Sequence, residues 1–111
     1  MAIVNAQLTT TALNILTVPV EKNYAITNIL VCNTSLTSSA NFDMHLIPFG
    51  DPLSNAITTV VRSLVLPPGE TFTFDSERII LDQGDKITFV AGPDIGLGLT
   101  NLAATVSYLE V

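Results

Sequence analysis

The chain has 111 residues and a net charge of −6, from 10 acidic side chains against 4 Lys and Arg. That balance disfavours sequence-independent nucleic-acid binding and an electrostatic hold on anionic membrane, both of which need clustered cations. The length suits one domain, residues 1–111, with a single core that needs no disulfide staples. Cys32 is the only cysteine, so no intrachain disulfide can form; its setting, Ile-Leu-Val-Cys-Asn, reads as a small buried hydrophobe. No apolar run is long enough for a transmembrane helix. No secretory signal is expected, because Met1 to Leu8 lacks a basic region and Asn5 and Gln7 interrupt its apolar residues. Charged residues make up 13% and hydrophobic ones 48%, whereas roughly a quarter of an ordinary soluble domain is charged. So low a charged fraction in a small domain predicts that part of its surface is buried against other subunits.

Ala2 to Val18 reads as one or two short strands. Ile3, Asn5 and Gln7 alternate with Val4, Ala6 and Leu8, and Leu13, Ile15 and Thr17 oppose Ala12, Asn14, Leu16 and Val18. Such a terminal strand can close its own sheet or pair with the edge of a neighbouring subunit. Pro19 to Asn23 is a polar connector. Tyr24 to Asn33 is a strand apolar on both faces, with Ile29 and Val31 on one and Ile26, Leu30 and Cys32 on the other. Thr34 to Ser39 is a Ser/Thr-rich loop. Asn41 to Pro48 alternates cleanly, with Phe42, Met44 and Leu46 inward and Asp43 and His45 outward. Pro48, Gly50 and Pro52 force irregular backbone through Asn55, and Ile57 to Leu66 returns as a strand.

The stretch from Leu64 to Ala91 holds three β-rich runs and two turns. Pro67-Pro68-Gly69-Glu70 and Asp82-Gln83-Gly84-Asp85 supply the preset φ and the left-handed glycine that tight turns require. Phe72 and Phe74, Ile79 and Leu81, and then Ile87, Phe89 and Ala91 each recur every second residue. Asp75-Ser76-Glu77 reads as a polar bend. Gly92 to Asn101 is a glycine-rich, flexible loop containing Ile95, Leu97 and Leu99, and Leu102 to Val111 closes the chain as a strand. These features predict an all-β fold: a single antiparallel β-sandwich of Ig-like or jelly-roll type, with Phe42, Met44, Leu46, Phe72, Phe74, Ile87 and Phe89 in its core.

Little in the chain points to catalysis. His45 is the only histidine, and it has Asp43 beside it but no nucleophile elbow or oxyanion loop; the pair is expected to be two solvated side chains. Asp82, Asp85 and Asp94 could gather at one end around calcium, but the two residues at the turn have a sufficient structural role there. Glu70 and Glu77 have no fixed separation. Gly92, Gly96 and Gly98 do not match the phosphate-binding fingerprint. With no tryptophan and only two tyrosines, a sugar-binding face is thinly supplied. No catalytic, cofactor-binding or metal-ligating residue is expected, and the chain is not expected to be an enzyme.

The order of features does resemble a known group. Val31-Cys32-Asn33-Thr34-Ser35 is followed by Ile47-Pro48-Phe49-Gly50 and Leu66-Pro67-Pro68-Gly69-Glu70-Thr71. Then come Ile80-Leu81-Asp82-Gln83-Gly84-Asp85-Lys86-Ile87 and the last strand, Ala104 to Val111. From Tyr24 to Val111 this pattern is similar to the small β-sandwich accessory proteins of tailed bacteriophage particles, among them capsid cement or decoration proteins. The resemblance implies a cofactor-free virion structural protein that clamps the major capsid protein or another virion protein and assembles with itself, often as a trimer. It would be made in the host cytoplasm. A tail- or fibre-associated adaptor, or a module that binds host glycans, is the alternative. The expected contacts are Ile3 and Val4 of the terminal strand, and Ile95, Leu97 and Leu99 of the glycine-rich loop.

Overall fold

Alternation with a period of two becomes nine strands in a computed structural model that describes residues 2–54, 56–74 and 79–111. They are β1 (Ala2–Thr9), β2 (Leu13–Thr17), β3 (Tyr24–Asn33), β4 (Ala40–Ile47), β5 (Thr59–Leu66), β6 (Thr71–Phe74), β7 (Ile79–Leu81), β8 (Lys86–Gly92) and β9 (Leu99–Glu110). No helix occurs among the described residues, so none there is long and apolar enough to cross a membrane. The first sheet runs β1-β9-β3-β6, with β7 end to end with β6 along the same edge of β3; the second runs β2-β8-β4-β5. Every pairing is antiparallel. Chain neighbours mostly sit in opposite sheets, and with β6 and β7 sharing one strand position this is the jelly-roll order of the β-sandwich. The Asp75-Ser76-Glu77 bend, and with it any Glu70–Glu77 pair, lies outside the described residues.

The two turns form as their residues require, but they cross the sandwich and do not close hairpins. Glu70 N donates to Pro67 O at 3.2 Å with Gly69 at φ 75°, and Asp85 N donates to Asp82 O at 3.1 Å with Gly84 at φ 81°. The first carries the chain from β5 to β6 and the second from β7 to β8, in each case between sheets. The cost of a left-handed residue is avoided because glycine has no Cβ.

The inner faces meet in one core. Leu8, Ile29, Val31, Leu102, Ala104 and Val106 come from the first sheet, and Phe42, Met44, Ile87 and Phe89 from the second; all are almost wholly buried. Phe42 packs edge-on to Phe72 with ring centroids 5.6 Å apart and lies 6.0 Å from Phe89. Of the seven residues expected in the core, Phe42, Met44, Ile87 and Phe89 are buried, while Leu46, Phe72 and Phe74 pack against it partly covered.

Departures from simple alternation occur at β-bulges. In β3 the register with β9 shifts between Ile26 and Asn28, so Ile26 turns into the core with Ile29 and Val31 and leaves Leu30 and Cys32 on the outer face. Cys32 is therefore half-buried, not enclosed. A second bulge, between Asn14 and Leu16, lets consecutive residues Ile15 and Leu16 both be buried. In β5 a third bulge puts Ser63 at φ 49°; its N–H donates to Asp43 Oδ1 at 2.6 Å, and Arg62 lies 3.7 Å from the same carboxylate. The acid at position 43 thus holds a bulge on an edge strand.

Candidate docking surfaces

The jelly-roll order places four connections at one end of the sandwich: residues 10–12, 34–39, 67–70 and 93–98. Two of these loops raise a leucine into solvent. The loop after β8, expected to be flexible, is tightly bonded to itself. Asp94 Oδ1 accepts from Gly96 N at 2.7 Å and Gly98 N at 3.2 Å; Ile95 N donates to Leu99 O at 2.8 Å, and Leu99 N donates to Gly96 O at 3.0 Å. Thr10 N donates to Gly98 O at 2.9 Å and ties the loop to the end of β1. Leu97 stands at its tip with φ 56° and is 100% exposed.

The loop after β3 is built in the same way around Asn33, which is fully buried. Its Nδ2 donates to Ser38 O at 2.9 Å and Leu66 O at 3.0 Å, and its Oδ1 accepts from Ser35 N at 3.0 Å. Ser35 Oγ in turn accepts from Ser38 N at 3.0 Å. Leu36 is left almost fully exposed at the tip. A Ser/Thr-rich composition concealed this leucine; the signal that could have found it is Asn33, a side chain well suited to tie a turn.

The five expected contact residues divide. Ile3, Ile95 and Leu97 are exposed, whereas Leu99 is half-covered opposite Thr9. Val4 is half-buried: it pairs with Val106 and packs against the core of its own sandwich, because the period of two turns it opposite to Ile3. β1 itself closes its own sheet on β9 and keeps its other edge free of any strand among the described residues.

His45 is corrected. It points outward from the second sheet, as alternation requires, yet it has no exposed surface, with the Thr58 and Thr59 hydroxyls against its ring. Thr58 Oγ1 donates to Ser54 O at 2.8 Å, accepts from Ser54 N at 3.1 Å and lies 3.0 Å from His45 Nδ1. Thr59 Oγ1 lies 3.4 Å from the same nitrogen, and Nε2 is buried with no partner among the described residues. Burial lowers the ring pKa below its ordinary value of 6.5; Asp43 opposes this and Arg62 adds to it. The Asp43 carboxylate is engaged by Ser63 and Arg62.

Asp85 and Asp94 flank opposite ends of β8, so the three aspartates do not converge. Asp85 accepts from Phe49 N at 2.9 Å and Asp82 N at 3.0 Å. Phe49 is the one exposed aromatic, and its ring lies over Gly84, where a Cβ would collide with it. The two tyrosines turn inward and stack on each other at 4.4 Å. No family model, known protein or solved structure matches the chain.

Proposed function

We propose that the protein is a non-enzymatic structural subunit of a tailed-bacteriophage particle, a cement or decoration protein that docks on the capsid shell through the end bearing Leu36 and Leu97. One observation carries the reading: a leucine held wholly in solvent on left-handed backbone. That conformation costs a non-glycine residue roughly 1–2 kcal/mol, and an exposed leucine forgoes roughly 1.5–3 kcal/mol of burial. A partner that covers Leu97 recovers the second term, and the bonds from Asp94 keep the side chain presented beforehand, which lowers the ordering cost of docking. The setting is supported by the strand-and-turn order that resembles phage accessory proteins. The jelly roll is a topology of viral capsid domains, but lectins and cupins share it, so the fold alone favours no role.

The test compares wild type with Leu97→Gly and Leu36→Asp for occupancy of particles stripped of the chain. Glycine relieves the backbone, so the melting temperature of Leu97→Gly should hold or rise while occupancy falls about tenfold or more. Full occupancy by both variants would remove the docking end, and density for the chain on the tail or fibres would replace the cement role by the adaptor one.

A further inference from the structure

The outer face of the first sheet carries no charged side chain among the described residues. The pairing register sets its rows. Ile3 lies beside Ser107 and Asn28; Asn5 beside Thr105, Leu30 and Thr73; Gln7 beside Ala103, Cys32 and Thr71; and Leu109 beside Ala25 and Ile80. Ile3 and Ile80, 66% and 60% exposed, stand at its margins. Between them the residues are small or uncharged, so the surface is broad and low. The outer face of the second sheet differs: Asp43, Arg62 and Lys86 lie on it, and Thr58, bonded to Ser54, sits against His45 there.

We propose that a second copy of this chain covers the neutral face, the two first sheets packing against each other as a two-fold dimer. Charge selects this occupant. A chain of net charge −6 repels its copies wherever its acids face one another, and this face offers contact without such pairs. A basic partner, by contrast, would be drawn to acids, and no described acid lies on this face. Two-fold pairing also sets like against like, so a face with no donor–acceptor polarity of charge is its own complement. Size bounds the strength: four strand positions about 4.8 Å apart and about 20 Å long give about 400 Å² per copy, or about 800 Å² in the pair. That is smaller than a standard specific interface, so the dimer should be weak and transient and not obligate. The pairing goes beyond the docking role, requires nothing of a shell, and does not use the Leu97 loop. It also gives a dimer where the phage resemblance implies a trimer.

Sedimentation of the whole chain from roughly 1 µM to 1 mM reads the mass. Wild type should pass from monomer to dimer, while Thr105→Glu and Ile3→Glu shift that transition at least about tenfold upward. Ile3 is exposed at the sheet edge, so its variant decides the matter if Thr105→Glu fails to fold. Val65→Glu, on the edge strand of the second sheet, should leave the transition where it is, and thiol labelling of Cys32 should slow as the dimer forms. A monomer throughout, a trimer, or a dimer broken by Val65→Glu and not by the other two would overturn the pairing. None of these masses depends on Leu97, so a failure here leaves the docking test standing.

Discussion

The two outer faces of the sandwich are made by the same alternation and end in opposite conditions. On the second sheet the outward residues include a charged pair and a histidine, and Thr58, bonded to Ser54, is set against that histidine. On the first sheet the outward residues are neutral, and no described segment of the chain covers them. The difference teaches that a period of two reports direction only. Whether an outward side chain meets solvent, a loop or another molecule is decided by which connections return over the sheet, and among the described residues a connection packs against an outward side chain on the second sheet, at His45.

The contrast presumes that the inner faces are equivalent halves of one core. Phe89→Ala is the largest test of that premise and should cost about 3–5 kcal/mol in urea unfolding, because the ring is fully enclosed. A cost below about 0.5 kcal/mol would mean that the second sheet holds no core of its own.

The covering loop gives the next effect. Thr58→Val removes a hydroxyl that bonds Ser54 twice and faces His45, and should cost about 1–3 kcal/mol by the same measurement. On the neutral face the corresponding side-chain bonds, Thr27 Oγ1 to Ser107 Oγ at 2.7 Å and Gln7 Nε2 to Thr100 O at 2.8 Å, join strand to strand and hold no loop. If Thr58→Val were silent, the cover over the second sheet would be ornamental and the two faces would differ in composition alone.

The smallest effect is in pH. His45 is buried as the neutral base, so its folded pKa lies below 6.5 and the unfolded chain takes up its proton first. The stabilisation is complete above 6.5 and is lost as pH falls from there through the folded value. His45→Gln should flatten the stability curve in that window relative to wild type. A wild type and variant that lose stability in parallel between pH 7 and 5 would show the ring to be accessible, and the two outer faces to be alike in cover.

Much of this was legible in the residues. The all-β class, the inward set around Phe42, Met44, Ile87 and Phe89, and both glycine turns follow from alternation and backbone geometry, which are local properties. What escaped was wherever one extra residue or one distant segment intervened. A bulge reverses the sense of alternation without leaving any mark in hydrophobicity, which is why simple alternation groups Ile26 with Leu30 and Cys32 and sets Leu16 opposite Leu13. Ile3 and Val4, expected together as contacts, turn to opposite sides of β1.

By itself, then, the amino-acid sequence determined the strands, their turns and a surface too poor in charge for its size. Only the tertiary structure decided where that poverty lies. Long-range pairing put β1, β9, β3 and β6 side by side and so gathered neutral residues from four stretches of chain into one face. It also brought Thr58 over His45, set Asn33 to hold a loop, and raised Leu36 and Leu97 at one end. Each of these depends on contacts between residues far apart in the chain, and no local pattern carries the free energy that selects them.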